Sequence, residues 1–129
     1  MNGNKILLDT NAVIAVFNGD EKLNEILQDK KRFLPSVVCG ELYYGALNSK
    51  RQKQNIETLE RFLLQCYVLT VDLGTARKFG EIRVSLKKKG KPIPDNDIWI
   101  AALASQHALP LATEDGHFEA VEGLDLVKW

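Results

Sequence analysis

A chain of 129 residues has the length of one domain and can bury a real core, and with 45% apolar and 26% charged residues it is neither a disordered nor a fibrous sequence. Its 17 basic and 17 acidic side chains cancel, so no global field draws it onto nucleic acid and any polyanion must be held by a local cluster. No apolar run approaches the roughly 20 residues that span a bilayer, and MNGNKILLDTN lacks the h-region and cleavage site of a signal peptide, so no membrane contact and a cytoplasmic location are expected.

Lys5 to Leu8 reads as a buried strand closed by Asp9, with Thr10 or Asn11 capping the helix that AVIAVF begins and Gly19 ending it. Leu23, Ile26 and Leu27 repeat at helical spacing, and Phe33 and Leu34 form a brief strand stopped by Pro35. Ser36 is the expected cap of a third helix carrying Val37, Val38, Glu41, Leu42 and Leu47. Ile56, Leu59, Phe62 and Leu63 form the apolar stripe of an amphipathic segment between Asn48 and Cys66, and Tyr67 to Val71 is a strand. Asp72 caps a helix running to about Lys89, with Ala76, Phe79, Ile82 and Leu86 facing inward and Gly90 as its stop. After the loop GKPIPDN, Asp95 or Asn96 starts a helix through IWIAALASQHA, and LPLAT and LDLVKW supply the last strands. Strands alternating with helices at this spacing predict a parallel sheet covered on both faces, an α/β/α sandwich of four to five strands in one domain spanning 1–129. Cys39 and Cys66 lack a CxxC partner and read as small core residues.

The acids carry the chemistry. Asp9 directly follows an apolar strand and Asp115 lies just past another, which puts both at carboxyl ends of parallel strands, where open α/β sheets hold ligands. Glu41 has Val37, Val38, Tyr44 and Gly45 as helical neighbours, and Asp97 has Pro94, Ile100 and Ala101, so each stands on a face without a cationic partner. Carboxylates gathered in one crevice repel one another unless a cation intervenes, and hard divalent ions such as Mg²⁺ or Mn²⁺ take oxygen ligands together with substrate phosphates. Thr10, Asn11 and Thr113 can orient such a ligand set or its waters, while Asp95 is expected to cap its helix first and to support the site second. Lys87, Lys88, Lys89 and Lys91 form the basic run nearest the Asp97 loop and are the expected local contacts for the phosphates of a polyanion. His107 and His117, without a Ser or Cys nucleophile signature nearby, read as bystanders.

In order and spacing, LLDTN, the Glu of SVVCGELYYGA, PDNDIWIAALA and LATEDGHF resemble the PIN-domain ribonucleases, with a closer match to VapC-type toxins. That resemblance covers essentially the whole chain. It implies catalytic, metal-binding acids at Asp9, Glu41, Asp97 and Asp115, Mg²⁺- or Mn²⁺-dependent cleavage of structured RNA such as tRNA or rRNA, a homodimer, and a cognate VapB-type antitoxin. Two alternatives stand beside it. One is a catalytically silent RNA-binding module of the same fold; the other is a receiver-type phosphoacceptor domain with Asp72 as acceptor and Lys128 as its charge partner.

Overall fold

The computed structural model describes residues 3–129. Five strands, β1 (Lys5–Leu8), β2 (Lys31–Pro35), β3 (Tyr67–Leu69), β4 (Leu111–Ala112) and β5 (Leu126–Val127), form one sheet in the order β3-β2-β1-β4-β5. Every pairing is parallel. Six helices connect them: α1 (Thr10–Phe17), α2 (Glu21–Leu27), α3 (Ser36–Leu47), α4 (Gln52–Leu63), α5 (Leu73–Lys89) and α6 (Asp95–His107). The chain leaves β1 toward β2 on one side and returns to β4 on the other, so the sheet's topological switch point lies between the carboxyl ends of β1 and β4. Open α/β sheets bind their ligands at that crevice.

β1 is central and reads as a continuous apolar run because it is covered on both faces: Ile6, Leu7 and Leu8 are buried. α6 is buried nearly all round at Ile98, Ile100, Ala101, Ala102, Leu103 and Ala104. Its alanines let neighbouring elements approach closely, and Trp99 stacks on Phe79 of α5 with ring centroids 4.0 Å apart.

Several local expectations shift in the folded chain. The α1 cap is Asp9 itself, whose side chain accepts the amide of Ala12, so neither Thr10 nor Asn11 takes that role. Ser36 is the first residue of α3 rather than its cap, which is Pro35. The segment from Asn48 to Cys66 is helical only over Gln52–Leu63, and β3 ends at Leu69. On α5 the fully buried position of the first turn is Thr75, with Ala76 exposed. Thr75 is drawn in because Asp72 and Thr75 form a capping box that also engages Gln106 of α6. Asp72 is therefore a helix cap, and Lys128 pairs with Glu119, so neither residue stands in the role the phosphoacceptor alternative gives it. Gly90 stops α5 at φ +68°, as its lack of a Cβ permits. Cys39 and Cys66 are half-buried free thiols, and burial pushes Cys66 up to about 11, which leaves it unreactive at neutral pH.

Candidate active site

Asp9 sits where β1 gives way to α1 and is 4% exposed. One carboxylate oxygen accepts the Ala12 amide at 2.8 Å, and the other accepts the Thr113 hydroxyl at 2.5 Å. Thr113, just past β4, is wholly buried, and its oxygen also accepts the amide of Asp115 at 3.0 Å. A single hydroxyl thus ties the carboxyl ends of the two strands beside the switch point. Asp115 in turn accepts the amide of His117 at 2.9 Å, closing the short 3-10 turn Gly116–Ala120, which is anchored in the core by the buried Phe118.

Asp97 lies in the first turn of α6, and its carboxylate is 3.1 Å from Nδ1 of His117. The same ring nitrogen is 3.2 Å from Asp115. Asp97, Asp115 and His117 bring ligand atoms within 4.8 Å of one another, a group able to hold a metal ion. Glu41 stands across the opening, half-buried on α3 rather than turned fully inward, and accepts Asn96 Nδ2 at 3.3 Å. It shares a shallow groove with Thr10, Val37, Gly40, Tyr44 and Asn96.

Burial raises the pKa of Asp9 above its ordinary value of 3.8, against the hydrogen bonds from Thr113 and Ala12 that lower it. The negative charges of Asp115 and Asp97 raise it further. A buried carboxylate facing two more is a cluster that a divalent cation would relieve. Beside it, the Thr10 hydroxyl is buried with no hydrogen-bond partner. An oxygen-rich set with one unsatisfied oxygen fits a hard divalent ion.

The sequence-predicted acids separate into those the fold gathers and those it does not. Asp97 and Asp115 bring their ligand atoms together beside His117, Asp9 lies close enough to feel both charges, and Glu41 joins them only through Asn96, the neighbour of Asp97. Asn11 is exposed, and Asp95 neither caps α6, where Pro94 does, nor reaches the acids. Asp95 instead pairs with Arg83 of α5 at 3.1 Å, because residues two apart on a helix point to opposite sides. Of the basic run, Lys89 is engaged with the Ala120 carbonyl and Glu122, while Lys87, Lys88 and Lys91 are exposed. His117 and Asn96 are the residues that sequence reasoning passes over. The spacing D-x-H in TEDGHF is the available signal for His117, since an Asp that closes a tight turn brings the residue two positions on beside itself.

This fold, with carboxylates collected at the switch point, is that of the PIN domain. Residues 6–124 match the PIN domain family, and the chain belongs to it. Within the family its relatives are VapC ribonucleases. Ribonuclease VapC2 of Haemophilus influenzae is 38% identical over 129 residues, covering 97% of this chain and 98% of that protein. The tRNA(fMet)-specific endonuclease VapC of Salmonella typhimurium is 32% identical with the same coverage. Among solved structures, DNA-bound VapBC from Salmonella typhimurium superposes with a TM-score of 0.89 at 30% identity, covering 97% of this chain and 98% of that one. VapBC2 from Rickettsia felis, bound to a DNA fragment from its promoter, also reaches 0.89, at 27% identity and with the same coverage.

Proposed function

We propose that this chain is a divalent-metal-dependent endoribonuclease acting on structured RNA as the toxin of a toxin–antitoxin pair. The observation that carries the reading is Asp9: a buried carboxylate, fixed by two hydrogen bonds, into which two further acids project their charge. Asp9, Asp97 and Asp115, with Glu41 from across the opening, would hold Mg²⁺ or Mn²⁺. Such an ion polarises a scissile phosphate and lowers the pKa of its bound water, so the protein need supply no nucleophile. Asp9 is held rigid by the α1 amide and by Thr113, Thr113 also sets the backbone of Asp115, and Asn96 restrains Glu41. The Thr10 hydroxyl, buried and unpartnered, is placed to orient a water in the crevice. An intact acid set argues against the catalytically silent alternative, since clustered carboxylates without a cation only destabilise the fold.

RNA phosphates flanking the cut would be held by the exposed Lys87, Lys88 and Lys91, with Lys89 mainly bracing the 3-10 turn. The relatives named as tRNA(fMet)-specific endonucleases put tRNA ahead of rRNA as the first substrate to try. A VapB-type antitoxin is the natural partner, because solved relatives are VapBC complexes. An apolar groove of about 410 Å³, lined by Ile14, Phe17, Leu42, Ala46 and Leu59, opens beside Glu41 and Thr10. An antitoxin segment seated there could carry an arginine into the acids, which a planar guanidinium can pair bidentately. A homodimer would use the apolar side chains left exposed at the β3 edge, among them Leu64, Tyr67 and Leu73.

The deciding assay incubates the chain with tRNA and rRNA, with and without Mn²⁺, beside the Asp97→Asn variant. Discrete Mn²⁺-dependent cleavage that disappears in the variant is expected. Cleavage that persists in Asp97→Asn, or none under any condition by a folded protein, would overturn the proposal.

A further inference from the structure

The acids account for a hard metal ion, but the centre they form is not made of oxygen alone. His117 is set into it by its surroundings on both sides. Its amide is bound by the Asp115 side chain at 2.9 Å, and the next residue, Phe118, is locked in the core at 1% exposure. The ring that projects between them brings Nδ1 to 3.1 Å from Asp97 and 3.2 Å from Asp115. Around an ion with bonds of about 2.1 Å, adjacent donors of an octahedron lie about 3.0 Å apart, so these separations fit ligands sharing one ion as well as they fit a direct hydrogen bond. Oxygen donors alone suit Mg²⁺, whereas imidazole favours later first-row ions, whose affinity for nitrogen rises from Mn²⁺ toward Ni²⁺.

Resting on the proposed metal-dependent reading of the site, we infer that His117 is a nitrogen ligand to the ion held by Asp97 and Asp115, biasing the centre toward Mn²⁺ and later transition ions over Mg²⁺. The competing account of the same distances is an imidazolium that occupies the carboxylates as an ion-pair partner. The two accounts predict opposite signs. A ligand strengthens metal binding, so its loss weakens it; an ion-pair partner competes with the metal, so its loss tightens it.

The experiment uses tag-free protein and measures dissociation constants for Mg²⁺, Mn²⁺ and Ni²⁺ in the wild type, His117→Gln and Asp97→Asn, with pulsed EPR of the Mn²⁺ form. The wild type should show ¹⁴N coupling to Mn²⁺, absent in His117→Gln, and that variant should lose at least about tenfold in Mn²⁺ and Ni²⁺ affinity with a smaller loss for Mg²⁺. Asp97→Asn should weaken all three ions. If Asp97→Asn weakens binding but the wild type shows no nitrogen coupling, or the coupling persists in His117→Gln, or that variant binds Mn²⁺ as tightly or more tightly, the inference fails while the metal centre stands. Mn²⁺ binding that is absent, or insensitive to Asp97→Asn, would remove the metal centre and the inference together.

Discussion

Replacing Asp9 by Asn or by Ala should abolish cleavage equally and yet give proteins of different stability. Asn keeps an oxygen for the Ala12 amide and can donate its amide N–H to the Thr113 oxygen in place of accepting the Thr113 hydroxyl, while Ala removes both partners. The missing cap costs about 1 kcal/mol, and the hydrogen bond from the Asn amide to the buried Thr113 oxygen, absent in Ala, is worth about 0.5–1.5 kcal/mol. The gap between the variants is therefore about 1.5–2.5 kcal/mol, which at about 4 °C per kcal/mol for a chain this size is about 6–10 °C in Tm. Against the wild type the sign reverses for Asn. Burial raises the Asp9 pKa, so its ionised form destabilises the metal-free fold; this cost is absent below pH 3.8, grows as pH rises to the folded-state value and is constant above it. Metal-free Asp9→Asn should thus melt above the wild type at neutral pH, with the advantage vanishing below pH 3.8. Saturating Mn²⁺ should raise the wild-type Tm and leave Asp9→Asn unmoved. Calorimetry in EDTA and in Mn²⁺ across pH reads all of this. Equal Tm for Asn and Ala would refute the cap and Thr113 argument, and a metal-free Asn variant less stable than the wild type would refute the account of buried charge.

Glu41→Gln should remove most cleavage, and Asn96→Ala should lower it less while weakening Mn²⁺ binding, because Asn96 only restrains Glu41; titration of Mn²⁺ beside a cleavage assay separates the two. Joint replacement of Lys87, Lys88 and Lys91 by Gln should flatten the dependence of log K for RNA on log salt by about 0.7 for each phosphate no longer neutralised. Lys89→Gln should instead leave the slope nearly unchanged, since that side chain already holds Ala120 and Glu122. Without metal, His117 has its pKa raised above 6.5 by the hydrogen bond to Asp97 and the charge of Asp115. Its stabilising contribution is present below that value and lost as pH rises through the folded-state pKa, so metal-free His117→Gln should melt below the wild type at pH under 6.5 and draw level with it as pH rises past the folded-state pKa. A pH-independent difference would show that the ring acts by packing alone.

What can be read from the sequence is what depends on neighbours in the chain. Asp9 is legible because a charge directly after KILL has no local reason to be there, and the Asp72 cap and Gly90 stop follow from helix-end chemistry within a turn or two. Glu41 and Asp97 stand out because their helical neighbours are apolar or small. What escapes depends on pairs far apart. Asn96 meets Glu41 across 55 positions, and Thr113 meets Asp9 across 104, so only the closed sheet shows which oxygen bonds which. Asp95 goes to Arg83 because the turn of α6 that aims Asp97 at the acids aims Asp95 at α5. His117 reads as a bystander because its place is set by a non-repeating turn that periodicity cannot display.

The strand order also governs when, during synthesis, this cleft can exist. β1, β2 and β3 all lie within the first 69 residues and can pair as soon as that stretch has left the ribosome, with Asp9 already presented at the end of β1. The opposite wall is supplied by α6 and β4, whose Asp97, Thr113 and Asp115 are translated far later. Until then Asp9 lacks the Thr113 hydroxyl that holds it, and of the other acids only Glu41 has been made. On the proposed assignment of the site, a nascent chain would therefore complete its acid cluster only once residue 115 has emerged.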